Sequence, residues 1–200
     1  MSGCCGGGAC CAAPAPTLPA HLVEGTVATP AGPVPRVRSA WSAIDRRGAI
    51  AVRLGGLYRQ DYRWPPGLCA VGAPGPEDPV LVTANYKLSV DHLRRALTGR
   101  NAWILVLDTD GINVWCAAGK GSFGTDELLR RLAATNLEAV VSHRRLILPQ
   151  LGAPGVSAPR IHAESPWRVR WGPVRAADLG RWLDGDGDPE LRRVRFTSRD

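Results

Sequence analysis

The sequence predicts an α/β fold, a single layered domain around a mostly parallel sheet. Three observations carry this. Ala102-Trp-Ile-Leu-Val-Leu107 is apolar at every position, as a strand covered on both faces must be. Shorter apolar runs alternate with amphipathic segments of helical period on both sides of it. And 200 residues, 44% of them hydrophobic and 22% charged, suffice for one well-filled core.

Residues 1 to about 38 are dominated by Ala, Gly, Pro and Cys and read as a flexible tail, with the domain running over 39–200. Gly48-Ala-Ile-Ala-Val-Arg53 reads as the first strand. Leu68-Cys-Ala-Val71 follows, closed by the Gly72-Ala-Pro-Gly-Pro76 turn, and then Val80-Leu-Val-Thr83. Leu88 to Leu97 is helical, with an apolar stripe of Leu88, Leu93, Ala96 and Leu97, Ser89 as cap and Gly99 as stop. After the central strand, Thr125 caps a second helix reaching Ala134, with Asp126 and Glu127 in its favourable first turn. Ala139 to Val141, Leu146 to Leu148 and Arg168 to Trp171 read as strands, and Ala176 to Leu183 as the last helix.

The chain carries 25 basic and 18 acidic residues, net +7, and 23 of the 25 basic residues are Arg. They are scattered in pairs such as Arg94-Arg95 and Arg144-Arg145, with no basic stripe interleaved with aromatics, so a nucleic-acid footprint is weak. No run approaches 18 apolar residues, and the N-terminal segment lacks the basic region of a secretory signal. Four of six cysteines lie in the first eleven residues. That leaves Cys69 and Cys116, which is not a disulfide framework and suits a reducing compartment.

Chemistry concentrates after the central strand, where open α/β sheets bind ligands. Gly119-Lys-Gly-Ser-Phe-Gly124 matches G-x-G-x-x-G, which keeps a nucleotide-binding module as one reading. However, eleven residues separate it from Leu107, whereas a dinucleotide fingerprint follows its strand directly. If residues 112–120 are helical, Asn113, Cys116 and Lys120 share one face. The thiol is flanked by Ala117, Ala118 and Gly119. Such small neighbours let a sulfur approach a metal inside a broad, flat macrocycle, and Lys120 and an Asn113 N–H favour its thiolate. Two other readings of Cys116 stand beside this one. It could be a buried inert thiol, or a nucleophile, although no His–Asp set accompanies it. The only two lysines, Lys87 and Lys120, flank the region in a chain that otherwise uses Arg, which points to a particular ammonium geometry.

The segment Asn113-Val-Trp-Cys-Ala-Ala-Gly-Lys120 resembles the cap-helix signature of the mercury-methylating corrinoid proteins, a family related to the corrinoid iron–sulfur protein of the acetyl-CoA pathway. The resemblance runs from about Gly67 to Arg195. It includes Leu81-Val-Thr-Ala-Asn-Tyr-Lys87, Trp103-Ile-Leu-Val-Leu-Asp108, Ser142-His143, Leu148-Pro-Gln-Leu-Gly-Ala-Pro-Gly155 and Gly172-Pro-Val-Arg-Ala-Ala-Asp178. It implies a Rossmann-like domain holding a base-off corrinoid, with Cys116 as cobalt axial ligand and Asn113, Val114, Trp115, Cys116, Ala117, Ala118, Gly119 and Lys120 as cap helix over the site. It also implies that Thr83, Asn85 and Lys87 from one loop, and Gln150 and Gly152 from another, line the pocket. The D-x-H-x-x-G motif of histidine-ligated cobalamin proteins is absent.

The implied activity is corrinoid-dependent methyl transfer from cobalt to Hg(II). The alternative is a methyl-carrier subunit of the acetyl-CoA pathway. The implied partners are a folate-type methyl donor and an iron–sulfur ferredoxin reductant, to which a basic surface suits an acidic protein. Cys4, Cys5, Cys10 and Cys11 form vicinal pairs suited to a soft metal such as Hg(II). The family continues beyond a segment like Leu191 to Thr197 into a membrane part, whereas this chain stops at Asp200. A cytoplasmic location is expected, with membrane association if the chain is a fragment of a longer protein.

Overall fold

The computed structural model describes residues 18–54, 63–185 and 187–194. Within them a seven-stranded sheet is flanked by helices on both faces. The strands are β1 (Val23–Thr29), β2 (Gly32–Val37), β3 (Gly67–Val71), β4 (Val80–Ala84), β5 (Ala102–Leu107), β6 (Arg145–Leu148) and β7 (Arg168–Trp171), in spatial order β1-β2-β3-β5-β4-β6-β7. The helices are α1 (Ala43–Leu54), α2 (Lys87–Ala96), α3 (Val114–Lys120), α4 (Thr125–Ala134), α5 (Leu137–Val140), α6 (Ala158–Glu164) and α7 (Leu179–Asp184).

The sheet is mixed but mostly parallel. β4, β5, β6 and β7 run together, while β5 meets β3 antiparallel and β1 pairs β2 antiparallel. Every residue of β5 is buried. Its side chains divide by the pleat: Trp103, Leu105 and Leu107 enter one core, and Ala102, Ile104 and Val106 the other. This two-sided burial explains the continuous apolar run, although only one of its two neighbours is parallel. Ala176 to Leu183 is a 3₁₀ turn over Ala176–Asp178 leading into α7.

Four readings are corrected by the structure. The first is the tail: residues 23–37 form a hairpin that joins the sheet through Arg36 opposite Ala70. Averaged composition hid the alternation of Val23, Gly25 and Val27, while Thr29 Oγ1 donating to Gly32 O at 2.6 Å ties the turn. Second, Gly48 to Arg53 lies in α1, not in a strand. Ser42 starts the helix with a capping box: Asp45 N donates to Ser42 Oγ, and Ser42 N donates to Asp45 Oδ2. Asp45, Ala49 and Val52 then share the buried face. Third, Ala139 to Val141 overlaps α5, a single helical turn entered through Asn136 at φ +45°. Fourth, neither Ser89 nor Thr125 caps its helix. α2 begins at Lys87 after Tyr86, and Thr125 Oγ1 instead accepts from Ser157 N at 2.9 Å.

On the face carrying α1 and α2, four charged side chains are buried together. Lys87 Nζ lies 3.0 Å from Asp45 and 2.7 Å from Asp91; Arg94 lies 2.9 Å from each of the same carboxylates. Arg94 Nη1 also donates to Arg38 O and Ala40 O, tying down the chain before α1. Burial opposes ionisation of Asp45, but hydrogen bonds from Ser42, Lys87 and Arg94 overcome it and hold this carboxyl well below the usual carboxylate range. Among the described residues, no helix is long and apolar enough to cross a membrane.

Candidate functional site

The site is built at the carboxyl ends of the parallel strands. Beyond β5 the chain reverses over Thr109–Ile112, with Ile112 N donating to Thr109 O at 3.0 Å. Asp110 (φ +56°) and Gly111 (φ +72°) both occupy the left-handed region, the type I′ form that Asp-Gly favours. Asn113 then starts α3 by accepting from Cys116 N at 3.0 Å. The Asn113 side-chain oxygen thus caps the helix, which leaves its amide N–H groups to donate elsewhere.

α3 has two distinct faces. Ala117 and Ala118 are buried against the protein, whereas Trp115, Cys116, Gly119 and Lys120 are exposed. Trp115, at 62% exposure, is one of the few large apolar side chains left open. The small residues therefore divide. Ala117 and Ala118 serve the interior: a Cβ on Gly155 would lie 3.0 Å from Ala118 Cα and closer still to Phe123 O, and one on Gly152 would lie 2.5 Å from Phe123 Cε1. Small side chains on both partners let the loop over 150–155 press onto α3. Gly119 faces open space, with nothing within 4 Å of a would-be Cβ. Only Gly119 provides the outward clearance predicted for all three.

Beside α3 lies an apolar groove of about 570 Å³. Thr83 from β4, Leu148 at the end of β6 with Pro149 after it, Pro173 after β7, and Val114 and Trp115 of α3 line it, with Asn113, His92 and Arg175 among the few polar groups. Thr83, Asn113, Val114 and Trp115 thus converge on one cavity; Cys116, the next residue along α3, is exposed but does not line it, and neither do Ala117, Ala118, Gly119 or Lys120. Other predicted residues do not join them. Lys87 is committed to Asp45 and Asp91, so its particular geometry serves the buried cluster. Asn85 is 2% exposed and bonded to the turn after β5. Gln150 accepts from Arg192 Nε at 2.8 Å, and Gly152 packs on Phe123.

The glycine pattern at 119–124 closes the turn between two helices. Gly121 (φ +84°) ends α3, and a Cβ on Gly124 would lie 2.5 Å from Gly121 O. Of its glycines only Gly124 meets backbone; what speaks against the nucleotide-loop reading is that the pattern joins two helices and does not follow a strand directly. Cys4, Cys5, Cys10 and Cys11 lie outside the described residues. Among those described, no group of three His, Cys, Asp or Glu side chains could hold a metal ion. Cys69 is buried, and burial pushes its thiol up to about 12, so of the two described cysteines only Cys116 is open to chemistry. Sequence reasoning missed Phe123 and the turn at Asp110; the Asp110-Gly111 dipeptide was the signal for the turn.

Residues 58–183 match the family described as CO dehydrogenase/acetyl-CoA synthase delta subunit (CdhD), well over half of the chain. The chain belongs to this family. It is also similar to gamma subunits of the acetyl-CoA decarbonylase/synthase complex. It is 35% identical over 127 residues to that of Archaeoglobus fulgidus, covering 62% of this chain and 27% of the relative. It is 28% identical over 131 residues to that of Methanopyrus kandleri, covering 64% and 28%. For the gamma 2 subunit of Methanosarcina thermophila the figures are 31% over 126 residues, 60% and 26%. The match thus spans about a quarter of the length of these relatives.

Proposed function

We propose that residues 39–200 form a Rossmann-like corrinoid-binding unit, extended by the hairpin at 23–37, that acts as a methyl carrier of the acetyl-CoA-pathway kind. The observation that carries the reading is the exposed thiol of Cys116 on the outer face of α3, beside an apolar groove at the carboxyl ends of the parallel strands. Relatives belonging to an acetyl-CoA decarbonylase/synthase complex support the carrier reading.

The residues present fit a large flat ligand. The outer face of α3 offers an aromatic ring, a thiol and a glycine with open space above it. The groove offers an apolar wall of Leu148, Pro149, Val114 and Pro173. A bound corrinoid would supply a cobalt centre able to accept and release a methyl group. Cys116 would hold it through its sulfur, with Trp115 and Thr83 lining the groove beside it. Asn113 would fix the sulfur's position through the cap to Cys116 N. Lys120, one turn beyond Cys116, would add positive charge at the same face. The net charge of +7 suits an acidic reductant of the iron–sulfur ferredoxin kind, and a folate-type compound would serve as methyl donor.

A second reading gives the same site a different acceptor, Hg(II). The exposed cysteine within Asn113–Lys120, the stretch that resembles the mercury-methylating proteins, favours it. Anaerobic reconstitution with a corrinoid tests the shared part: the purified chain should retain the corrin absorbance through gel filtration. Loss of all colour would refute corrinoid binding. Methylmercury formed from added Hg(II) by the loaded, reduced protein would select the second reading; its absence alongside methyl uptake would select the first.

A further inference from the structure

Asn85 sits at the end of β4, where the sequence pattern places it beside the site, yet its side chain points elsewhere. It is 2% exposed and spends its amide on the chain between β5 and α3. Asn85 Oδ1 accepts from Thr109 N at 3.0 Å and from Gly111 N at 2.9 Å, and lies 2.9 Å from Thr109 Oγ1. Asn85 Nδ2 donates to Asp108 Oδ1 at 3.0 Å. The Thr109 hydroxyl is also 2.7 Å from Ile112 O, so its single proton is shared between two acceptors.

One buried amide therefore ties the turn that carries Asp110 and Gly111 at positive φ. That turn ends one residue before Asn113, which caps α3 at Cys116 N. α3 has seven residues, too few to hold its own place in water. Its position is set by its two ends: the loop over 150–155 pressing on Ala118 and Phe123, and the turn that Asn85 holds.

We propose that Asn85 is a positioning residue: it sets where α3, and with it Cys116, stands at the groove. The proposal rests on the reading of the α3 outer face as the working surface, and it reassigns Asn85 from pocket lining to support of the helix. It explains an uncharged amide at this position. The turn needs an acceptor for two backbone N–H groups and, at the same time, a donor for the Asp108 carboxylate. Asn provides both at one site; Asp does so only while protonated.

The test is amide hydrogen exchange across the full chain, with corrinoid uptake measured separately. In Asn85→Ala, peptides covering 109–120 should exchange about ten-fold faster or more, while β4 and β5 keep their protection. In Asn85→Asp, corrected for intrinsic exchange, the loosening of the same peptides should grow as pH rises from about 4 to about 8, because only the protonated carboxyl can donate to Asp108. Unchanged protection at 109–120 in both variants would overturn the proposal. So would loosening spread evenly over the whole sheet, or an Asn85→Asp effect that does not vary with pH, since each is what a mere core filler would give. If these responses appear while the parent binds no corrinoid, the functional reading falls and the positioning role stands.

Discussion

Two regions built on the same sheet treat their polar and reactive groups in opposite ways. Between α1 and α2, two carboxylates and two cations are sealed from water, and each lies within 3.0 Å of an opposite charge. Around α3, a thiol and a tryptophan are left in the open beside an apolar groove. Removing one partner of a buried pair strands the other charge in a poor solvent, so the first region is a commitment to the fold. Exposing a large ring gains the fold nothing, so the second is available to a ligand.

The difference can be broken first where it is deepest. Arg94→Ala should destabilise by about 3–5 kcal/mol, since both carboxylates lose a cation and the 38–40 segment loses its anchor; thermal or urea unfolding measures it. A cost below about 1 kcal/mol would show the cluster to be slack. Gly155→Ala tests the inner face of α3. The added methyl would press on Ala118 and the Phe123 carbonyl, and should cost about 1–3 kcal/mol.

The pH dependence of the first region has a definite sign. The folded Asp45 carboxyl lies below its unfolded value, so its contribution is present above the ordinary carboxylate range and fades as pH falls through about 4 and lower. Asp45→Asn should therefore be less stable than the parent at pH 7 but show a shallower fall of Tm on acidification. Asn113→Ala should cost about 1 kcal/mol through the lost cap. The smallest stability effect belongs to the second region: Trp115→Ala should change unfolding by less than about 0.5 kcal/mol yet weaken corrinoid retention. A large loss of stability would mean that this ring supports the fold after all.

How far the sequence was legible follows the same division. β5 and α4 could be read because burial on both faces, or an amphipathic stripe, leaves a pattern in a short window, and β6 and β7 because their inward residues alternate with more exposed ones. α1 was misread because Gly48 to Val52 is an apolar run that strand and helix share. What decides it is the Ser42–Asp45 box together with partners about forty residues away, Lys87 and Arg94. The hairpin was lost in the composition of the segment around it. At the site, the Asn113–Lys120 motif located the helix. The roles of its small residues were not legible, because Ala118 is explained by Gly155, distant in sequence. Lys87 and Asn85 likewise share a segment with Thr83, but only Thr83 faces the groove; a strand end carries no mark of which side chains turn inward.

The most direct test compares the visible and electron paramagnetic spectra of the parent and Cys116→Ala after anaerobic reconstitution with a corrinoid. Equal thermal stability is expected, since the side chain is exposed, with altered cobalt spectra and impaired methyl transfer in the variant. Identical spectra and full retention of methyl transfer in Cys116→Ala would contradict that expectation.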